Sequence, residues 1–178
     1  FLKPFTLSET KDFFKYKKVQ LDHYQIVQLY MVMGGIPHYL NQVEAGKSAV
    51  QNIDIICFKK NGFLRNEFDN VYKALFRFPD RYEMVIKALA TKWKGLTREE
   101  ITARIKLKKG GGITTILKQL EQSGFITAYY PFAKRKKNKL YRLTDYYSLF
   151  YLKFIEGTKS KNQGYWHILS QTQSWKSW

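Results

Sequence analysis

The side chains of this sequence best suited to bind another molecule are cations, hydroxyls and amides grouped between residues 96 and 145. Five of the six residues from Lys134 to Lys139 are Lys or Arg. Ahead of them, apolar residues recur at helical spacing over 113–120, which places polar side chains on the opposite face of a helix. Phosphates are bound by cations, and base edges by the exposed face of a recognition helix. We therefore predict that Thr114, Thr115, Lys118 and Gln119 face base edges or sugars of DNA, and that Lys108, Lys109, Lys134, Arg135, Lys136, Lys137 and Lys139 meet phosphates.

In a helix-turn-helix, a first helix precedes the recognition helix, and the sequence has signals for one. Thr97 and Glu100 have the spacing of a capping box, in which each side chain satisfies a free backbone amide at the start of a helix. A helix is therefore predicted to begin near Thr97. The three glycines at 110–112 end it, because such a run destabilises a helix interior and permits a tight turn.

The elements that follow complete a helix-turn-helix with a β-hairpin. The second helix is predicted to begin near Ile113 and to end at Gly124, a residue typical of helix C-termini. Residues 125–130 and 140–143 are rich in β-branched and aromatic side chains, so they are predicted to be two strands joined by the basic loop. This order of elements is typical of a winged helix, which we assign to residues 80–157.

The charge of the chain favours an anionic partner. The formal net charge is +17 at pH 7, and residues 81–142 hold 16 Lys and Arg against 4 Asp and Glu. Nucleic acid is the first class of partner that such an excess indicates, an acidic membrane surface is the second, and a surface that is merely soluble, with no partner, is the third interpretation. No apolar run approaches the length of a membrane span. The lone Cys57 can form no internal disulfide, which fits a reducing compartment, and a cytoplasmic location is predicted.

The first part of the chain reads as a bundle of five short helices. Capping residues, glycines and the Asn61-Gly62 break divide residues 1–79 into these segments, and Phe78-Pro79-Asp80 is the predicted boundary. The fold class is therefore mainly α, with a helical bundle followed by a winged helix-turn-helix domain and a small hairpin. Residues 158–178 are predicted to be a tail that leads into a further domain. The absence of an initiator Met also suggests a segment of a longer protein.

Residues suited to catalysis are not grouped in this sequence. No GxxxxGK[ST] loop is present, and the three glycines at 110–112 follow a predicted helix rather than a strand. His23, His38 and His167 lie far apart, so no metal site is predicted. Glu99 and Glu100 are better explained by helix capping than by acid-base work. We expect this chain by itself to have no enzymatic activity and no cofactor.

Four segments together resemble a known family. They read FLKPFTLSE at the start, MGGIPHYL at 33–40, NGFLRNEFDNVYKALF at 61–76, and LYRLTDYYSLFYLKF from residue 140. They resemble the region downstream of the nucleotide-binding core in prokaryotic, archaeal-type AAA+ ATPases related to the STAND and origin-recognition groups. The resemblance implies a helical lid and a winged helix, preceded by a P-loop core that binds ATP and Mg²⁺ and followed by a nuclease-like domain.

The resemblance also implies a role for Gly35 and Pro37. They match the GxP motif of the family's lid, which would place them on the adenine side of a bound nucleotide. The alternative is that they only turn one helix into the next. The helix from Ile36 to Ala45 has no arginine that could reach the γ-phosphate, so direct sensing of that group by this lid is not expected.

Three functions remain open from the sequence. The first is DNA binding by the winged helix of an AAA+/STAND-like ATPase. The second is an interaction module that packs on the ATPase core and the C-terminal domain of the same protein and transmits the nucleotide state. In that case the aromatic helix at 145–155 and the Trp-rich tail are the contact surface, and a homo-oligomer is possible. The third is a free-standing transcription regulator.

Overall fold

The computed structural model describes residues 3–106, 112–131, 139–159 and 164–178. The protein is mainly helical with a small three-stranded antiparallel sheet, as the sequence predicts for the fold class. It forms two compact units, the first made of Phe1–Phe68 with Lys153–Trp178 and the second of Asp69–Leu152. Among the described residues, no helix has both the length and the apolar character needed to cross a membrane.

The first unit consists of short helices around an apolar core. The sequence predicts a capping box at Thr6, a helix start near Asp22 and a cap at Ser48. In the structure each of these side chains accepts a hydrogen bond from a backbone amide of the first turn. Thr6 and Ser48 form full capping boxes. The elements are α1 (Leu7–Tyr16), α2 (His23–Met33), α3 (Pro37–Leu40), α4 (Ala49–Ile53) continued by a π-helical stretch (Asp54–Phe58), a 3-10 turn (Phe63–Arg65), and, near the C-terminus, α10 (Tyr165–Leu169) and α11 (Gln173–Lys176).

The second unit combines helices with the sheet. Two elements extend past the bounds of this unit, because α5 begins before Asp69 and the last π-helical stretch ends after Leu152. The elements are α5 (Glu67–Leu75), α6 (Pro79–Ala90), β1 (Leu96–Thr97), α7 (Arg98–Arg104), α8 (Ile113–Gln122), β2 (Ile126–Tyr129), β3 (Leu140–Leu143), and α9 (Tyr146–Phe150) continued by a π-helical stretch (Tyr151–Ile155). The capping box at the start of α7 is present as predicted, with the Glu100 carboxylate 2.7 Å from the Thr97 amide. Strand β1 was not predicted, because two residues carry no periodicity of their own.

The sheet has the order β1-β3-β2, and both pairings are antiparallel. Ile126 lies opposite Leu143, and both are buried, whereas Thr127 lies opposite Arg142 on the other face. Leu96 of β1 pairs with Tyr141 and is also buried. One face of this small sheet therefore belongs to the core of the second unit, and the other carries polar side chains.

Several predicted helix boundaries differ from the structure. The sequence predicts Asp80 as the cap of α6, but the cap position is Phe78, and Asp80 lies in the first turn after Pro79. The sequence also predicts Thr144 as the cap of α9, but it is the Asp145 carboxylate that accepts the Ser148 amide, at 2.7 Å. The prediction for α9 is one residue off, since the adjacent Thr144 and Asp145 both resemble caps in sequence. The prediction for α6 is two residues off, because the helix begins at Pro79 and its cap position, Phe78, forms no side-chain cap. The third helix is also shorter than expected and ends at Leu40.

The division into units also differs from the predicted boundary after Pro79. Tyr72 of α5 is fully buried within the second unit, where its hydroxyl lies 3.1 Å from the Ser148 hydroxyl and its ring lies 5.0 Å from that of Phe125. Because these contacts tie α5 to residues after it, the division falls at Phe68 and Asp69.

The C-terminal residues pack into the first unit instead of standing free. Trp166 and Trp175 are both buried, with ring centroids 4.9 Å apart. The buried Asp54 carboxylate accepts the amides of Gly164 and Trp166, each at 2.8 Å, so it caps α10. The sequence suggests that the indoles of Trp175 and Trp178 have nothing to pack against. The structure corrects this, because Trp175 is buried against Trp166 and Phe154, and the ring of Trp178 lies 5.4 Å from that of Trp175.

Cys57 provides a direct test of the core of the first unit. It is fully buried, and burial together with the nearby Asp54 charge raises the pKa of its thiol. The thiol of a cysteine in the unfolded chain ionises at about pH 8.5. Above that pH, ionisation stabilises the unfolded state but not the folded state. We expect Cys57 to resist Ellman's reagent at pH 8 and to react fully in urea. Reaction of the folded protein at the rate of a free thiol would contradict this packing.

Candidate nucleic-acid interface

Helix α8 separates its apolar and polar residues as the periodicity predicts. Its buried side chains are those of Ile113, Ile116, Leu117 and Leu120. All four residues predicted to contact DNA from this helix are exposed, namely Thr114, Thr115, Lys118 and Gln119. The helix therefore presents two hydroxyls, an ammonium group and an amide to solvent from one rigid element.

Gln119 is the member of this set whose side chain is already oriented. Its amide oxygen accepts a hydrogen bond from the Tyr82 hydroxyl of α6. The Tyr82 ring in turn stacks on Phe76, with centroids 3.9 Å apart and an interplanar angle of 7°. Because both rings belong to the buried core, they hold the Gln119 side chain in place and leave its NH₂ group as the donor for a ligand.

Lys139 connects the hairpin to α8. Its ammonium nitrogen lies 3.8 Å from the Glu121 carboxylate at the end of α8 and 5.2 Å from the centroid of the Tyr141 ring. An ion pair this exposed contributes at most about 1 kcal/mol and leaves the lysine free to exchange partners. The structure thus brings one predicted phosphate ligand next to the predicted recognition helix.

The remaining predicted phosphate contacts lie outside the described residues. They are Lys108 and Lys109 in the segment between α7 and α8, and Lys134, Arg135, Lys136 and Lys137 in the segment between β2 and β3. Both segments are joined to described elements that adjoin α8 in sequence or in space.

Three acidic side chains of this basic unit have partners within it, namely those of Glu100, Glu121 and Asp145. Glu100 accepts the Thr97 amide and the Lys92 ammonium, the latter at 3.0 Å, and these contacts lower its pKa. The pKa shifts of Glu83 and Asp145 have the opposite sign: burial and the neighbouring Asp69 charge raise the pKa of Glu83, and burial raises that of Asp145. The Arg and Lys residues that outnumber these carboxylates therefore determine the electrostatic potential of the unit.

The sequence did not indicate one pair of residues, Trp93 and Arg142. The guanidinium of Arg142 on β3 lies over the ring of Trp93, with its central carbon 5.6 Å from the ring centroid. Trp93 follows the end of α6 and is 66% exposed. The only signal in the sequence was its position between two lysines, in Lys92-Trp93-Lys94.

The predicted lid motif lies in the first unit and has a structural explanation there. Gly35 is buried with φ at +70°, and its carbonyl accepts the Phe5 amide at 2.8 Å. A Cβ on Gly35 would lie only 2.1 Å from the Phe5 carbonyl oxygen. Pro37 occupies the first turn of α3. Gly35 is therefore needed for close backbone approach, and the nucleotide contact proposed for both residues stays a prediction.

Several of the aromatic residues named in the interaction-module hypothesis are buried, although Tyr146 of α9 is 41% exposed, and the hypothesis itself stays a prediction. Tyr147 and Phe150 of α9 are buried in the second unit, and Trp166 and Trp175 are buried in the first.

Within the described ranges, no three His, Cys, Asp or Glu side chains lie close enough to hold a metal ion. A cleft of about 530 Å³ beside Ser48 and His167 is lined by exposed or half-buried side chains and by the carboxylate that caps α10.

Comparison with known proteins gives one match of limited strength. The chain is 28% identical over 156 residues to "Uncharacterized protein MJECL04" of Methanocaldococcus jannaschii, covering 86% of this chain and 34% of that protein. The chain thus spans about a third of the length of the curated relative that it matches. No protein-family model matches the chain, and no solved structure matches it.

Proposed function

We propose that this chain is the lid and winged-helix portion of an AAA+/STAND-like ATPase, and that its second unit binds duplex DNA. The observation that carries the proposal is the single exposed face of α8, with Thr114, Thr115, Lys118 and Gln119 on it and Lys139 of the hairpin beside it. Hydroxyl, amide and ammonium groups on one rigid helix match the donors and acceptors of a major groove.

The order of elements in the second unit supports a winged helix. Two helices, α7 and α8, follow one another, and a hairpin of β2 and β3 comes next, with β1 before α7 completing the sheet. In this arrangement α8 is the recognition helix, and the loop between β2 and β3 is the wing. The wing sequence has five cations in six residues, which would add phosphate contacts that carry no information on base sequence.

The first unit fits the lid of the proposed ATPase. In the parent protein, ATP and Mg²⁺ would bind to a core outside this chain, and Gly35 and Pro37 would face the nucleotide from the lid. The resemblance at residues 33–40 supports this assignment. Catalysis would belong to the core, so the chain itself is expected to bind and not to turn over substrate.

The test is binding of the whole 178-residue chain to a labelled random duplex across a salt series. In one variant Lys134, Arg135, Lys136, Lys137 and Lys139 are replaced by Ala. Each phosphate contact contributes about 0.9 to the slope of log affinity against log salt, so this variant is expected to bind more weakly and to lose up to about 4.5 of that slope.

The matched control removes the same charge from the first unit. Its substitutions to Ala are at the exposed positions Lys3, Lys11, Lys15, Lys60 and Lys176. If the wing binds phosphates, the control retains most of the wild-type affinity and slope. Equal losses in both variants would mean that only net charge matters. If the wild type does not bind at low salt, DNA binding is wrong and the interaction module takes its place.

A further inference from the structure

Trp93 is an exposed aromatic residue that the fold holds in a fixed position. Gly95 adopts φ of +79°, and a Cβ there would lie 2.4 Å from the Tyr141 carbonyl oxygen of β3. The loop after α6 therefore approaches the strand as closely as glycine permits. The Tyr129 hydroxyl of β2 also donates to the Lys94 carbonyl oxygen at 2.6 Å. Two strands thus fix the backbone immediately after Trp93.

Strand β3 also places a cation over the Trp93 ring. Arg142 lies on the face of the sheet opposite to the buried Leu143, and its guanidinium lies 5.6 Å from the Trp93 centroid. A guanidinium at that distance is attracted to the indole ring and restricts its motion. Nevertheless 66% of Trp93 remains exposed. A large aromatic ring held by a strand cation but left in water is typical of a binding residue rather than of a core residue.

The chemistry around the ring indicates what it binds. The second unit carries most of the net positive charge of the chain, and Lys92 and Lys94 flank Trp93 in sequence. Arginine and an indole together bind an unpaired nucleotide well, because the base stacks on the ring and the phosphate meets the cation. In a continuous duplex the faces of the bases are already stacked on one another, so this contact requires a base outside the helix.

We propose that Trp93 and Arg142 form a stacking site for an unpaired base at the end of a duplex or at a junction. The proposal rests on DNA binding by the second unit and adds a preference for DNA that is partly single-stranded. Stacking on an aromatic side chain is expected to raise the affinity for a duplex with a single-stranded tail on the order of tenfold over the blunt duplex.

The experiment compares fluorescence anisotropy of a labelled blunt duplex with that of the same duplex carrying a short oligothymidine tail, each with the whole chain. The expected result is the tenfold preference in the wild type, its loss in Trp93→Ala, and its partial retention in Trp93→Phe. Arg142→Gln is expected to weaken the preference too. Tyr24→Ala is the control, since Tyr24 is exposed to a similar extent, 69%, but lies in the first unit.

The possible outcomes separate this proposal from the one it rests on. Equal binding of both DNAs by the wild type, or an undiminished preference in Trp93→Ala, would overturn the stacking site while DNA binding stands. Failure to bind either DNA at low salt would overturn both. Unchanged circular dichroism and an unchanged thermal midpoint in Trp93→Ala establish that a lost preference comes from the missing ring and not from unfolding.

Discussion

Trp166→Ala is expected to lower the free energy of unfolding by about 3 to 5 kcal/mol, the usual cost of removing a fully buried large aromatic side chain. Trp166 stacks on Phe58 with centroids 5.5 Å apart and an angle of 12°, and it meets the edges of Phe154 and Trp175 at 5.6 and 4.9 Å. Its loss would leave a cavity lined by three rings, which cannot all move to fill it.

The measurement is urea unfolding followed by circular dichroism. Ile168→Ala is the matched control, because Ile168 lies two residues later in the same helix, α10, but is 71% exposed. The control is expected to change stability by less than about 0.5 kcal/mol. If both substitutions have similar small effects, the C-terminal helices do not pack into the first unit as described.

Gly35→Ala is expected to cost about 3 kcal/mol, more than a positive φ angle alone accounts for. A non-glycine residue in the left-handed region costs roughly 1 to 2 kcal/mol. The added Cβ would also lie 2.1 Å from the Phe5 carbonyl oxygen and 2.9 Å from the Tyr30 ring, so the backbone must move. That movement weakens the hydrogen bonds that the Phe5 amide and carbonyl make to Gly35 and Tyr30, at 2.8 and 3.1 Å.

Gly46→Ala isolates the effect of the φ angle. Gly46 also has a positive φ, +79°, but nothing lies within 4 Å of a Cβ built there. Urea unfolding of the two variants should therefore give a larger loss for Gly35, and hydrogen exchange should show faster exchange of the Phe5 amide in Gly35→Ala alone. Equal losses of stability in the two variants would mean that Phe5 does not lie against Gly35.

A nucleotide contact and the observed packing require different surroundings for Gly35. A nucleotide contact would require an accessible backbone, whereas the backbone of Gly35 is covered by Phe5. The short motif in the sequence was consistent with both, because a glycine followed by a proline indicates a turn irrespective of what lies against it. If the proposed parent ATPase binds a nucleotide near Gly35, the nucleotide would therefore have to displace or use the Phe5 segment.

Much of the candidate interface was predictable because it depends on neighbours within one helix. The exposed face of α8 follows from the spacing of its apolar residues, and the starts of α1 and α7 follow from capping boxes. The caps of α6 and α9 were assigned to the wrong residues, since α6 begins at Pro79 without a side-chain cap and two adjacent polar residues could cap α9. The Trp93 and Arg142 pair was missed, because nothing in either local sequence indicates the other.

The sequence alone determined the mainly helical fold class, the basic character of the second unit and the polar face of α8, because composition and helical periodicity act over a few residues. Only the tertiary structure decided that β1 pairs with β3, that Asp54 caps α10, and that Arg142 lies over Trp93. These contacts join residues about 45 to 110 positions apart in the chain. They form only when packing of the core brings the segments together and offsets the entropy of closing the loops between them.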